Sequence, residues 1–222
     1  TVSKAIEKLL KNHLKSEITT IYNPFEINKI QSLSKSFIPS ECNYIVAVGR
    51  MSKKVKQFDK LIEAYHKSDL HKNDVSLLIL GEGKYLEELK ALVERLNLTR
   101  KVIFKGYQSN PFPYQKNALF LTLSSKNEGF PMVLLESLSC ETPVISFDCF
   151  CGPSEIIVPN LNGILVENQN IDKLSEAMRN LYYDKELYTT FKKNSLTSVT
   201  QFSVENIGKQ WILLFRFSNY FS

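Results

Sequence analysis

One stretch near the middle of the chain limits the possible folds more than any other. The apolar run 118–123 predicts a strand, and the polar segment 124–127 that follows it predicts a tight turn. A helix is predicted from about Met132 to Ser139, with Pro131 suited to its first turn, and residues 143–147 predict a second buried strand. A strand, a turn, a helix and a strand in this order indicate an α/β fold with a parallel sheet.

The same stretch carries a candidate binding site. Glu128 and Gly129 precede the helix, and Glu136 lies one to two turns inside it. A helix start leaves unpaired backbone N–H groups, and the helix dipole favours a phosphate there.

The two glutamates are open to three interpretations. A hydrolase would place a pair of carboxylates roughly 5–10 Å apart across the scissile bond, which this spacing allows but does not favour. In a purely structural role, Glu128 complements the helix dipole and Glu136 is a solvated surface residue. In a binding role, one glutamate holds a sugar and the other a ribose, on either side of a diphosphate.

Length and composition indicate an ordinary globular chain. A chain of 222 residues is long enough to bury one substantial core. Its hydrophobic share of 43% and charged share of 23% are ordinary for a globular protein. No run approaches the roughly 20 apolar residues that span a bilayer, and the charged, amphipathic segment 1–14 does not form a signal peptide. The net charge of +5 favours an anionic donor or an anionic membrane surface without establishing either.

The four cysteines predict a reducing compartment rather than a disulfide framework. Cys149 and Cys151 flank Phe150, which is too close for the usual zinc-binding pair, and a second pair is lacking. We therefore predict no metal site there.

Hydrophobic periodicity predicts about six strands in one Rossmann-like domain, with helices on both faces of the parallel sheet. The six strands of this domain are predicted at 44–48, 75–80, 102–104, 118–123, 143–147 and 164–166, and a further short strand is predicted before it, at 18–22. Helices are predicted at 1–14 with Ser3 as its cap, within 28–42, and at 58–66, 84–96, 110–116, 132–139, 152–157, 171–183, 185–194 and 203–217. Gly81 and Gly83 lack a third glycine, so a dinucleotide-binding fingerprint is not supported.

Two features, Glu155 and the last helix, keep more than one interpretation. Glu155 fits either a helix-cap region or the cleft, and Lys53 and Lys54 are interpreted as surface lysines. The last predicted helix and the residues that follow it are rich in aromatic residues: Trp211, Phe215, Phe217, Tyr220 and Phe221. They fit a membrane or partner surface, but we favour packing in the core or against another domain.

Several motifs together resemble retaining glycosyltransferase family 4, whose members have the two-domain GT-B fold. The segment 128–131 (Glu-Gly-Phe-Pro), the seven residues between Glu128 and Glu136, and the segment 142–145 (Thr-Pro-Val-Ile) resemble its signature. The resemblance extends from about Ile18 to Phe215. Gly152-Pro153, followed by Glu155-Ile156-Ile157, is similar to members that build bacterial surface polysaccharides and lipid-linked glycans.

The resemblance selects the binding interpretation and implies a role for each matching position. For the donor diphosphate it implies Arg50, Lys56 and the backbone at Phe130, Pro131, Met132, Val133 and Leu134. For the donor sugar it implies Gly129, Phe130 and Glu128, with Glu128 as the catalytic residue that positions the sugar. For the ribose it implies Glu136, and for the base Gly106, Tyr107 and Gln108.

The resemblance also implies the activity, which is transfer of a hexose with retention from a nucleotide-sugar donor. The expected donor is a UDP-hexose or UDP-N-acetylhexosamine, and the acceptor a growing lipopolysaccharide, capsule or lipid-linked glycan. No Asp-x-Asp pair suggests a metal, so neither a metal nor a cofactor is expected. The expected location is the cytoplasm, either free or as a peripheral protein at the inner membrane face. No nucleic acid partner is expected.

The resemblance further implies how the chain is organised. Residues 1–22 are interpreted as the interdomain connection at the end of an N-terminal GT-B domain, and residues 23–222 as the donor-binding domain. We expect this chain alone to bind a nucleotide sugar without transferring it.

Two other functions stay open. Nucleotide-sugar epimerases share the architecture but use histidine-rich chemistry, and only His13, His66 and His71 occur here. A non-catalytic nucleotide-binding module is the second alternative, against which stand the arginine, the lysine and both glutamates of the motifs.

Overall fold

The computed structural model describes residues 1–52 and 55–218, and the side chains up to residue 216. Lys53, Lys54, Tyr220 and Phe221, which the sequence analysis interpreted, lie outside the described residues, as does the side chain of Phe217.

Six parallel strands form one sheet in the order β3-β2-β1-β4-β5-β6. The strands are β1 (Tyr44–Val48), β2 (Ser76–Leu80), β3 (Val102–Gly106), β4 (Leu121–Leu123), β5 (Val144–Phe147) and β6 (Gly163–Val166). Nearly every strand residue is apolar because helices cover both faces of the sheet. The predicted Rossmann-like α/β fold is confirmed.

The helices alternate with the strands, as predicted. They are α1 (Lys4–Lys11), α2 (Ile27–Leu33), α3 (Phe58–Ser68), α4 (Leu86–Arg95), α5 (Phe112–Lys116), α6 (Met132–Ser139), α7 (Pro153–Ile156), α8 (Ile171–Tyr183), α9 (Lys185–Ser198) and α10 (Val204–Ser218). Short 3-10 turns occupy Leu70–Asn73 and Thr200–Phe202. Ser3 caps α1 as predicted, since its Oγ accepts the Ile6 N–H at 3.3 Å.

The core has two halves, one on each face of the sheet. Along β1, Ile45 and Ala47 join a cluster with residues of α3, α4 and α8. Tyr44 and Val46 point to the other face and join a cluster with residues of α2, α5 and α6. This alternation is what a strand with side-chain period two must produce when both faces are buried.

The predicted strand at 18–22 is wrong. The backbone there is irregular, although the Ile21 N–H donates to the Thr1 carbonyl at 2.9 Å. Its apolar side chains pack without forming a strand, since Ile21 is buried and the Tyr22 ring packs on Phe130 and Phe202. The apolar residues of segment 18–22 therefore reflect the packing of an irregular segment against the domain.

Of the two kinds of packing expected for α10, in the core or against another domain, most of its described aromatic and aliphatic side chains do not show the first. Trp211 is 42% and Phe215 61% exposed, and the two rings stack on one another. Ile207, in the second turn, is fully buried and anchors the start of the helix. Packing of the exposed part against another domain stays a prediction.

The sheet has one topological switch point, between β1 and β4. The chain builds outward from β1 through β2 to β3, and then returns to place β4 on the other side of β1. Open α/β sheets bind ligands in the crevice outside the carboxyl ends of the strands at such a point. The loops after β1 and β4 meet there.

Candidate functional site

The loops that follow β1 and β4 are fastened to each other. The Ser124 hydroxyl donates to the carbonyls of Lys56, at 2.7 Å, and Gln57, at 3.0 Å. The Lys126 N–H donates to the Val55 carbonyl at 2.8 Å. These contacts fix the backbone at the switch point, so that side chains from both loops face the same space.

Lys56 and Glu128, predicted as two separate ligand-binding residues, form an ion pair. The Lys56 Nζ lies 2.7 Å from Glu128 Oε1. Both side chains are largely withdrawn from solvent, with 20% and 12% of their surfaces exposed. Burial makes this pair stronger than an exposed one, since screening by water is weaker.

A cleft of 530 Å³ opens beside this pair at the carboxyl ends of β1, β2 and β3. It brings together four of the predicted site residues: Arg50, Glu136, Tyr107 and Gln108. Its other lining residues are Val48, Gly49, Leu80, Gly81, Glu82, Ser109, Pro111 and Phe112. The cleft therefore has one basic residue and two carboxylates on largely apolar walls, and a few polar groups on apolar walls are the usual make-up of a small-ligand site.

Glu136 is the electrostatically unusual group of the cleft. Burial raises the pKa of its carboxyl above the ordinary value, while the Gln115 amide and the positive charge of Lys56 lower that pKa in part. A carboxylate held in this way is poised to accept hydrogen bonds from a ligand that replaces the lost water.

The start of α6 presents backbone donors next to the ion pair. Pro131 occupies the cap position and has no N–H, and the Leu134 N–H donates to the Pro131 carbonyl at 3.0 Å. In the part of the chain that the structure describes, the N–H groups of Met132 and Val133 have no acceptor. Within this predicted segment, Met132 and Val133 are therefore the helix residues with unpaired N–H groups, whereas Pro131 has no N–H and the Leu134 N–H is already paired.

Phe130 and Gly129 differ in which of their atoms a ligand could contact. The Phe130 side chain is buried between Tyr22 and Phe202, so only its backbone can contact a ligand. Gly129 is exposed, and a Cβ built on it would meet no atom of the described residues within 4 Å. The space beside Glu128 is therefore open.

The three residues predicted beside the base are placed differently. Gly106 ends β3, and its carbonyl accepts the Gly81 N–H at 2.8 Å. Tyr107 is 70% exposed on the cleft wall, and the Gln108 amide donates to the Lys105 carbonyl at 2.8 Å. Tyr107 and Gln108 line the cleft, whereas Gly106 lies at its edge in the sheet.

A close approach between two glycines shapes the floor of the cleft. A Cβ on Gly81 would lie 2.0 Å from the Gly49 carbonyl oxygen, and Gly81 has a φ of +133°. Only glycine therefore fits where the turns after β1 and β2 touch. Sequence reasoning recorded a weak glycine pattern there but did not foresee this contact.

Glu155 does not line the cleft. Its Oε2 accepts the Lys4 N–H at 2.8 Å and the Tyr22 hydroxyl at 2.9 Å, and its Oε1 accepts the Ala5 N–H at 3.4 Å. These contacts fit the interpretation of Glu155 as a helix-capping acid. The helix that it caps is α1, however, and not α7, in which Glu155 lies.

Sequence reasoning missed the contribution of α5 and the loop before it. Ser109, Pro111 and Phe112 line the cleft, and the fully buried Gln115 lies beside Glu136. The available signal was their position shortly after a strand that ends at the carboxyl edge of the sheet.

A second cleft, of 610 Å³, lies elsewhere, between α2 and the start of α10. It contains none of the predicted site residues. None of the three histidines lines the first cleft, and His66 and His71 instead stack on each other. Across residues 1–52 and 55–218, no group of three or more His, Cys, Asp or Glu side chains is arranged to hold a metal ion, and no helix has the length and apolarity needed to cross a membrane.

Comparison with known proteins agrees with this geometry. The family model for "Glycosyl transferases group 1" matches residues 28–197. A Campylobacter jejuni protein, N-acetylgalactosamine-N,N'-diacetylbacillosaminyl-diphospho-undecaprenol 4-alpha-N-acetylgalactosaminyltransferase, is 32% identical over 189 residues, covering 85% of this chain and 51% of the relative. The lipopolysaccharide 1,6-galactosyltransferase of Escherichia coli is 34% identical over 185 residues, covering 77% of this chain and 48% of the relative.

A solved structure shows the same architecture. The crystal structure of a Staphylococcus aureus TarM mutant in complex with Fondaparinux, alpha-GlcNAc-glycerol and UDP matches with a TM-score of 0.84 and 27% sequence identity. The match covers 96% of this chain and 43% of TarM. The chain thus spans about half the length of the proteins it resembles.

Proposed function

The chain belongs to the group 1 glycosyl transferases, and on that premise we propose that it binds the nucleotide-sugar donor of a sugar transfer reaction. The observation that carries the proposal is the cleft at the switch point. There Arg50 and Glu136 line one cavity, with the Lys56–Glu128 ion pair beside it. The proposed donor is a UDP-hexose or UDP-N-acetylhexosamine.

The diphosphate is proposed to lie between the loop after β1 and the start of α6. Arg50 can pair bidentately with phosphate oxygens, and Lys56 supplies a point charge. The unpaired N–H groups of Met132 and Val133 add donors at the positive end of the helix dipole. These groups would stabilise the charge that develops on the leaving nucleoside diphosphate, and we propose that no metal is required.

The sugar is proposed to occupy the open space beside Glu128 and Gly129. The Glu128 carboxylate would accept hydrogen bonds from sugar hydroxyls and position the anomeric carbon, with the transfer retaining its configuration. Among the described residues, no atom lies within 4 Å of a Cβ built on Gly129, which leaves room for the sugar ring.

The nucleoside is proposed to fill the cleft itself. Glu136 would accept hydrogen bonds from the ribose diol, and the base would lie along Tyr107, Gln108 and Phe112. The apolar and aromatic walls fit a planar base, and the buried Glu136 carboxylate fits a vicinal diol.

The acceptor and the location are proposed from the relatives' names. Relatives named for lipopolysaccharide and diphospho-undecaprenol substrates support a growing surface or lipid-linked glycan as acceptor. We propose that an N-terminal GT-B domain supplies the acceptor side, and that the enzyme works in the cytoplasm, at the inner membrane face. The chain alone would then bind donor without transferring sugar.

Calorimetric titration of the purified chain with UDP, GDP and their sugars, without added metal, tests this proposal. We expect binding of the uridine nucleotides, and a loss of about tenfold or more in the Arg50→Gln variant because a charge-assisted phosphate contact is removed. Arg100→Gln, an exposed arginine outside the cleft, is the matched control and keeps the affinity. Absence of binding by the unaltered chain, or equal affinities in both variants, would refute the proposal.

A further inference from the structure

Gln115, on α5, is fully buried, yet its amide makes no hydrogen bond. Neither Oε1 nor Nε2 has a partner within residues 1–52 and 55–218. The residue itself is fixed, because its carbonyl accepts the Thr142 hydroxyl at 2.9 Å and the Ala118 N–H at 3.2 Å. A buried carboxamide without partners is unfavourable, and a site that retains one invites a functional explanation.

The neighbour that this amide acts on is Glu136. Helix α5 packs against α6, and Phe112, the first residue of α5, and Pro111 before it form part of the cleft wall that Glu136 also lines. The Gln115 amide lowers the pKa of the Glu136 carboxyl, so the two side chains are close, although the amide forms no well-aligned hydrogen bond among the described residues. Gln115 does not itself line the cleft.

A carboxylate that binds a vicinal diol must be ionised and correctly turned. Burial opposes ionisation of Glu136, and an N–H donor from the protein side favours it. A glutamine amide provides this donor without adding a charge that would compete for the ligand.

We propose that Gln115 is a positioning residue for Glu136, whose amide donates to the carboxylate when a ribose diol occupies the cleft. This inference rests on the proposed function, because it takes Glu136 to be the ribose-binding group. Gln115 thus contributes to nucleotide recognition through Glu136, without contacting the nucleotide.

The test measures UDP and 2'-deoxy-UDP affinity from pH 5.5 to 8.5 in the purified chain and in Gln115→Met. Methionine preserves the unbranched shape and approximate volume but removes the amide. We expect UDP affinity to fall about tenfold at neutral pH, and the preference for UDP over the 2'-deoxy compound to narrow. Without the amide, Glu136 loses its proton only at higher pH, so the pH below which affinity falls moves upward and the deficit shrinks at alkaline pH.

Ser175→Ala is the matched control, because the Ser175 hydroxyl on α8 is also buried without a partner but lies outside the cleft. This variant should bind UDP like the unaltered chain. Glu136→Gln serves as the second comparison, since it removes the group that Gln115 is proposed to position.

Three results would overturn the inference: unchanged UDP affinity in Gln115→Met, an equal loss at every pH accompanied by a lower melting temperature, or a loss in Gln115→Met while Glu136→Gln binds normally. If the unaltered chain binds no nucleotide, the proposed function fails as well. If the unaltered chain binds UDP and any one of the three results is found, the inference about Gln115 is refuted and the proposed function is not.

Discussion

The Nζ of Lys56 lies 2.7 Å from Oε1 of Glu128, in an ion pair between two residues 72 positions apart. One comes from the loop after β1 and the other from the loop after β4. Each residue satisfies the charge of the other, so under the proposed function a donor would draw Lys56 toward its diphosphate and Glu128 toward its sugar. The pair thus links the two halves of the proposed donor site.

Replacement of Glu128 by Gln should therefore tighten the binding of UDP. Removing the carboxylate charge frees Lys56 for the diphosphate, and we expect a gain of about three- to tenfold, measured by calorimetry. The extra affinity contributed by the sugar of a UDP-sugar should fall in the same variant, because the hydroxyl acceptor is weakened.

Glu82→Gln is the control for this experiment. Glu82 also lines the cleft, so its replacement removes the same charge from the neighbourhood without releasing Lys56. Equal tightening in both variants would show a general charge effect and contradict a specific role for the ion pair.

Glu136→Gln should stabilise the fold while weakening nucleotide binding. Burial raises the pKa of Glu136 above that of the unfolded chain. Between the two pKa values the folded protein binds more protons, so stability falls as the pH rises through this window. The variant should melt at a higher temperature than the unaltered chain at pH 8, and the difference should disappear near pH 4, where both side chains are neutral.

Thermal unfolding across this pH range, with UDP titration at pH 7.5, checks the prediction. Glu94→Gln, at an exposed position on α4, should change neither quantity. A lower melting temperature for Glu136→Gln at pH 8 would contradict the argument from burial.

Gly152→Ala should destabilise the start of α6. Gly152 has a φ of +97°, and a Cβ built there would lie 2.3 Å from Pro131 Cδ. Backbone strain and overpacking together should cost about 2 kcal/mol or more, which for a chain of this size lowers the melting temperature by about 4–8 °C. Nucleotide affinity should fall as well, because Pro131 caps α6.

Gly208→Ala in α10 provides the opposite control. No atom lies within 4 Å of a Cβ at this helical position, and alanine favours a helix by roughly 0.5–1 kcal/mol over glycine. It should therefore stabilise slightly. Tolerance of alanine at Gly152 would show that the loop after β5 can move away from Pro131.

The Tyr22 ring should matter more than its hydroxyl. Tyr22→Phe removes one hydrogen bond to Glu155 and should cost about 1 kcal/mol, since both side chains are partly exposed. Tyr22→Ala also removes the ring that packs at 5.0 Å on Phe130 and should cost about 2–4 kcal/mol.

Urea denaturation of the two Tyr22 variants separates these contributions. Equal losses in both would assign the stabilisation to the hydroxyl and leave Phe130 supported by Phe202 alone. Tyr22→Phe should leave UDP affinity unchanged, whereas Tyr22→Ala should reduce it, because Phe130 precedes the cap of α6.

Local sequence signals located most elements of the fold. The bounds of α6, Met132–Ser139, match the prediction, because Pro131 and the apolar periodicity mark the helix directly. The buried strands were visible as apolar runs for the same reason. The segment 18–22 misled because side chains buried by packing produce the same alternation as a strand.

The terminal helix shows a different limit. Trp211 and Phe215 belong to an apolar sequence, from which burial is the natural expectation. Their exposure depends on what the rest of the chain offers as a packing surface, and the residues of one helix do not carry that information.

The sequence by itself determined the α/β class, the positions of the strands and α6, and which charged residues follow which strand. Only the tertiary structure decided that Lys56 pairs with Glu128, that Gln115 lies beside Glu136 and that Glu155 caps α1. The physical reason is range. Periodicity, turns and caps act within a few residues, whereas these contacts depend on the order in which the strands join the sheet.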